Sequence, residues 1–213
     1  MILFELLNGE EDVAYQSLEV SNSIRHYDFL KSIVTASLEV NRLLLSESVI
    51  KALNYHAIAC LHVSPGEYRP CQVRVGNHLP PDSYRVPALM DDFVNVVNRH
   101  WESEDAVVLA SYVLWRMNYI HPFINGNGRT ARAACYFILC IKAGGWLPGK
   151  TILPELLRRD RDDYVLALRK VDKSWESKAM DISPLHELLS RLLEEQLNDV
   201  QRPEADLGPE ALS

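Results

Sequence analysis

Apolar residues recur along this chain with a helical period over most of its length. From about Asp28 to Leu45, the residues Phe29, Leu30, Ile33, Val34, Leu38, Leu43 and Leu44 share one face and predict an amphipathic helix. A second helix is predicted after Ser46, with Glu47 in its first turn, running to about His62, where Pro65-Gly66 breaks the pattern. Between Cys71 and Leu79 the period shortens to two, with Val73 and Val75 separated by polar neighbours and followed by Gly76-Asn77; this predicts a short β-hairpin, closed by Pro80-Pro81. Helical spacing then resumes over Val86–Trp101. A further helix, capped by Ser103 with Glu104 and Asp105 in its first turn, reaches Ile120, and others follow over Gly128–Ala143, Arg161–Lys173 and Pro184–Val200. Ser183 is placed to cap the last, with Pro184 at its first position. The expected fold class is all-α with one β-hairpin.

Composition narrows this picture without redirecting it. The chain has 213 residues, 47% hydrophobic and 24% charged, ordinary values for a globular protein with a packed core. The net charge of −7 argues against nucleic acid as the main partner, because the electrostatic footprint of such a protein is a basic patch. The last twenty residues carry six acids against the single base Arg202, so the body is close to neutral; from Gln201 onward, Pro203, Gly208 and Pro209 predict a disordered acidic tail. No run approaches the roughly 18 apolar residues of a membrane span, and the start, Met1-Ile2-Leu3-Phe4-Glu5, lacks the basic region of a secretion signal. Cys60, Cys71, Cys135 and Cys140 form no C-x-x-C pair, and three of them sit among apolar neighbours; they are expected to be buried reduced thiols in a cytoplasmic protein.

The chemistry concentrates in His121-Pro122-Phe123-Ile124-Asn125-Gly126-Asn127-Gly128-Arg129-Thr130-Ala131-Arg132, a loop that runs into a helix. His121 is a candidate general base, since imidazole titrates near neutral pH. Gly126 and Gly128 permit positive φ, so the N–H groups of Gly126-Asn127-Gly128 can converge on an anion at a helix N-terminus, with the Asn127 amide as an added donor. Arg129 and Arg132, three apart, share a helical face and can reach one polyphosphate. Phe123 is expected to anchor the loop in the core. These are the parts for moving a phosphorus group onto a hydroxyl.

The same string resembles the Fic family signature HPFx[D/E]GNGRxxR, matching at His121, Pro122, Phe123, Gly126, Asn127, Gly128, Arg129 and Arg132. The resemblance extends from about Leu53 to Asp172 and includes Pro65-Gly66-Glu67-Tyr68-Arg69, similar to the family's PGxYR stretch. It implies a helical bundle with a hairpin flap, arranged as an N-terminal helical segment (1–52), a core domain (53–200) and the tail (201–213). The implied activity is protein adenylylation. His121 would act as base on a Ser, Thr or Tyr hydroxyl, Gly126, Asn127 and Gly128 would hold the α-phosphate of ATP, and Arg129 and Arg132 would hold the β- and γ-phosphates. The target protein would add a strand along the flap near Val73–Leu79. Related enzymes transfer UMP, phosphocholine or phosphate with a similar loop, and a non-catalytic nucleotide-binding regulator is a reading from another class. A homo-oligomer is compatible with all of them.

Asn125 departs from the signature. In the family an acid here ligates Mg²⁺; a neutral amide would bind the metal more weakly, because Mg²⁺ favours charged oxygen ligands. The family's inhibitory motif, [S/T]xxxE[G/N], has a weak counterpart in Ser21-Asn22-Ser23-Ile24-Arg25-His26, where Arg25 replaces the acid; restraint is then absent or comes from another group such as Glu19. Finally, Gly144-Gly145-Trp146-Leu147-Pro148-Gly149-Lys150-Thr151 fits the P-loop pattern. It follows a helix rather than a strand, and Pro154 stands where a following helix would begin, so it is expected to be a plain loop.

Overall fold

The computed structural model describes residues 10–199, and the predicted acidic tail lies outside them. Eight α-helices lie within that span: α1 (Val13–Glu39), α2 (Glu47–Ile58), α3 (Val86–Arg99), α4 (Ala106–Ile120), α5 (Asn127–Lys142), α6 (Leu153–Arg159), α7 (Arg161–Glu176) and α8 (Ser183–Asn198). The all-α expectation holds. The centre is the pair α4 and α5, antiparallel neighbours because only residues 121–126 join them. Both are apolar on nearly every side, so α5 from Ala133 to Ile141 is buried throughout. Helices α1 and α2 pack on each other and on α5, α8 packs on α4 and α7, and α6 touches α5, α7 and α8. One core runs through all of them, from Leu30 and Val34 of α1 to Leu189 and Leu192 of α8.

The helix α1 starts much earlier than its apolar pattern implies. Asp12 caps it, accepting from Ala14 N at 2.8 Å, and its first half buries Tyr15, Asn22 and His26, a polar face that hydrophobic periodicity does not register. It also ends earlier, at Glu39, where Asn41 adopts φ 51°. Leu45 beyond it lies in an extended link held by Asn98, whose amide both accepts from Leu45 N (2.9 Å) and donates to Leu45 O (2.8 Å). Ser46 caps α2 as expected. Asp105, rather than Ser103, caps α4, accepting from Val107 N at 2.7 Å.

The predicted hairpin is smaller than its sequence suggests. Val75 and His78 form one antiparallel bridge across Gly76-Asn77, with N···O distances of 3.1 and 3.0 Å, and no strand forms among the described residues. The alternation has no core to face: Cys71, Gln72, Arg74, Val75 and Leu79 are all exposed. Cys135 and Cys140 are buried, whereas Cys60 and Cys71 are exposed, which corrects the burial expected of Cys60. Among the described residues no helix is long and apolar enough to cross a membrane.

Helix α6 corrects a second inference. It begins directly after the P-loop-like segment with Pro154 in its first turn, where a missing N–H has no consequence. The segment is still a loop between helices, and a side chain fills its concavity. At Gly149 (φ 130°) an added Cβ would lie 2.6 Å from both Gln196 Cγ and Gln196 O. The Gln196 amide donates to Pro148 O (2.9 Å) and accepts from Leu153 N (2.6 Å), in the place a phosphate would need.

Candidate active site

His121 ends α4. Its N–H donates to Met117 O at 3.0 Å, and the residue turns the chain in the left-handed region (φ 51°, ψ 61°), since Pro122 disfavours continued helix. Burial pushes the imidazole down to about 4, against a hydrogen bond to the Asn118 backbone that favours the protonated ring; His78 and Arg69 add to the depression. The ring is therefore neutral at pH 7.

The chain then folds back on itself. Phe123 is fully buried, its ring against Tyr68 at 5.7 Å, which anchors the loop as expected. Asn127, expected to offer its amide to an anion, uses it inside the loop: Oδ1 accepts from Phe123 N and Nδ2 donates to Phe123 O, both at 2.9 Å. Its backbone N–H remains at the start of α5, where no side chain caps the helix. Gly126 supplies the turn into α5 at φ 77°, and a Cβ there would strike Ile58 Cγ2 at 2.6 Å and Asn54 Nδ2 at 2.9 Å. Gly128 lies beside Arg132, whose Nη1 would be 3.3 Å from an added Cβ.

The two arginines differ. The Arg129 guanidinium is already engaged, with Nη1 donating to Ala57 O (3.1 Å) and pairing with Glu19 of α1 (3.2 Å), and Nη2 donating to Asn125 Oδ1 (3.3 Å). Arg132 keeps its Nε buried without a hydrogen-bond partner. Asn125 Oδ1 also accepts from Gly126 N at 2.6 Å, so the atom expected to ligate a metal is shared by two donors, one of them cationic. Arg25 is exposed and donates to Asn22 within its own helix.

Two residues hold this geometry: Arg69, which the sequence marks only as the end of the PGxYR-like stretch, and Asn54, which no motif marks. Arg69, 2% exposed, donates through Nε to His121 O (2.8 Å), through Nη1 to Cys71 O (3.0 Å) and through Nη2 to Pro81 O, while its own N–H reaches Pro122 O (2.8 Å). Asn54 is fully buried; its Nδ2 donates to Asn125 O (2.9 Å) and to Thr130 Oγ1 (3.2 Å), and its Oδ1 accepts from Gly66 N (2.9 Å). The Pro65–Arg69 stretch thereby fastens the hairpin turn to the signature loop. His78 completes the contact from the turn itself, with Nε2 at 2.9 Å from Tyr119 O.

The region that holds this geometry has known relatives. The model of the Fic/DOC family matches residues 44–139, a span that begins just before α2 and ends inside α5. The chain is 38% identical over 122 residues to the protein adenylyltransferase Fic of Drosophila persimilis, a match covering 55% of this chain and 23% of that protein. It thus spans less than a quarter of the relative's length. Among solved structures, a variant of Fic-1 from C. elegans superposes with a TM-score of 0.70 at 20% identity, over 92% of this chain and 54% of that one. A Fic domain containing signaling protein from Bacteroides thetaiotaomicron gives 0.68 at 23% identity, over 88% and 76%. At such identities these two speak for the fold, and they extend it to helices outside the matched span. The loop that carries His121, the turn at Gly126 and the two arginines of α5 all lie within residues 44–139, the segment that matches the Fic/DOC family.

Proposed function

We propose that this chain is a protein adenylyltransferase that moves AMP from ATP to a Ser, Thr or Tyr hydroxyl of a target protein. The observation that carries the reading is the placement of His121 at the end of α4, one short loop away from the uncapped, arginine-bearing start of α5. The curated relative named above performs the activity its name states, which supports the same donor here. The target hydroxyl oxygen attacks the α-phosphorus, His121 takes the hydroxyl proton, and the bond from the α-phosphorus to the pyrophosphate oxygen breaks to release pyrophosphate. The N–H groups of Asn127 and Gly128 at the start of α5 receive the α-phosphate, joined by that of Gly126 once Asn125 Oδ1 releases it, and Arg129 and Arg132 hold the phosphates beyond it. Charge on the bound nucleotide raises the imidazole pKa from its depressed free value, bringing the base closer to working pH. The turn at Val75–His78 is the docking edge for an extended target segment.

Mg²⁺ is implied by the resemblance, but the residues present fit it poorly. Asn125 offers one uncharged oxygen already shared by Gly126 N–H and a guanidinium, and among the described residues no group of three or more His, Cys, Asp and Glu side chains could hold a metal. No step is therefore routed through it. The occupied Asn125 also favours a second reading, a nucleotide-binding regulator without transfer activity. ATP labelled at the α- or the γ-phosphate separates the readings. Label retained from α and lost in His121→Ala supports adenylylation, label from γ means phosphate transfer, and ATP binding without transfer means a regulator.

A further inference from the structure

Helix α1 lies outside the matched span, yet it brings a histidine to the signature arginines. His26 is 3% exposed, stacks on Tyr27 with ring centroids 5.6 Å apart, and has no hydrogen-bond partner at Nε2. The groups whose charges act on it are Arg129 and Arg132 of α5 and His56 of α2, all of them basic. Arg132 in turn has its Nε buried and unpartnered. Two buried nitrogens on packed helices, His26 Nε2 and Arg132 Nε, thus lack a hydrogen-bond partner. Buried donors are rarely left this way, because the hydrogen bonds they give up to water go unreplaced. A ligand with several anionic oxygens would answer the Arg132 Nε–H and, in its Nε2–H tautomer, His26.

We propose that His26 is a phosphate-contacting residue of the nucleotide site, donating its Nε2–H to the terminal phosphates of a nucleoside triphosphate held by Arg129 and Arg132. The inference rests on the nucleotide reading given above and adds a residue from outside the matched domain. A neutral imidazole suits the free site, where burial first and then the arginine charges push His26 down to about 3. A polyphosphate offsets those charges and makes a protonated ring favourable, so binding is accompanied by proton uptake at this residue. His56 does not substitute for it: its ring is stacked on Phe29 at 4.4 Å.

Calorimetric titration of the full chain with ATP and with AMP tests the assignment. His26→Leu is expected to weaken ATP about tenfold, the worth of one hydrogen bond to a charged group, and to leave AMP unchanged. His26→Gln, which keeps a donor, should recover most of the ATP affinity while losing the parent's extra gain in affinity between pH 7.5 and 5.5. Equal losses for ATP and AMP, or none, overturn it. If His26→Leu does not fold, the imidazole nitrogens of the ¹⁵N-labelled parent must still shift on adding ATP but not AMP, and an unmoved His26 signal overturns the proposal. Tight ATP binding that ignores His26 defeats this inference alone; a parent chain that binds no ATP defeats the adenylyltransferase reading with it.

Discussion

His121 shows how burial sets a reactive group. Lowered to about 4, its imidazole stays neutral from neutral pH well into the acid range. The acid limb of kcat/KM, which reports the free protein, should therefore lie near pH 4 to 5 rather than near 6.5, with a flat rate between pH 6 and 8. An acid limb centred on 6.5 would contradict the buried base. Gly126 is constrained twice, by φ 77° and by contact with Ile58 and Asn54, so Gly126→Ala is expected to destabilise the fold by about 2–4 kcal/mol, measured as a lowered midpoint in urea. Asn125→Asp places a carboxylate beside Arg129 and the start of α5. Stronger dependence of transfer on Mg²⁺ is expected; unchanged metal dependence would show that position 125 is not a ligand. The signature residues were legible because they are contiguous. The roles of Arg69, visible only as the end of the PGxYR-like stretch, and of Asn54 were not, because their partners, His121, Pro81 and Asn125, come from distant parts of the chain and only the fold assembles them.

Among the elements, α1 differs most from its sequence reading, and for a physical reason. Its N-terminal half is anchored by Asn22 to Ala59 O (2.9 Å), by Tyr15 to His62 (2.8 Å) and by Glu19 to Arg129, none of which an apolar period can reveal. Glu19 is half-exposed, so its pair with Arg129 is screened and worth about 0.2–1 kcal/mol. Glu19→Gln should accordingly raise ATP affinity about 1.4- to fivefold by removing the competing carboxylate from Arg129; a larger effect would make α1 a strong restraint. The same helix makes stability pH-dependent. Unfolded, His26 takes up its proton near pH 6.5; folded, it does so only near 3, so stability is full above 6.5 and is lost as pH falls toward the folded value. Between pH 7 and 5 the loss from this residue is about 2 kcal/mol. His26→Gln should flatten the fall in urea midpoint over that range. Helix α6 was missed because it is one short stretch opening on Pro154, and the hairpin was over-read because its alternating residues face solvent.

In the molecule as a whole, the buried pair α4 and α5 is a fixed base around which thinner parts are arranged. The matched span ends inside α5, but α1 and α8 complete the same core, so residues before 44 and after 139 bury part of it. One guanidinium joins the periphery to that base. Arg69 holds Cys71 and Pro81, the two feet of the exposed turn, together with the carbonyl of His121 itself. Under the proposed docking at this turn, a polypeptide pulling on it would pull on the pivot of the imidazole, so that grip on the acceptor and aim of the ring would become a single mechanical quantity.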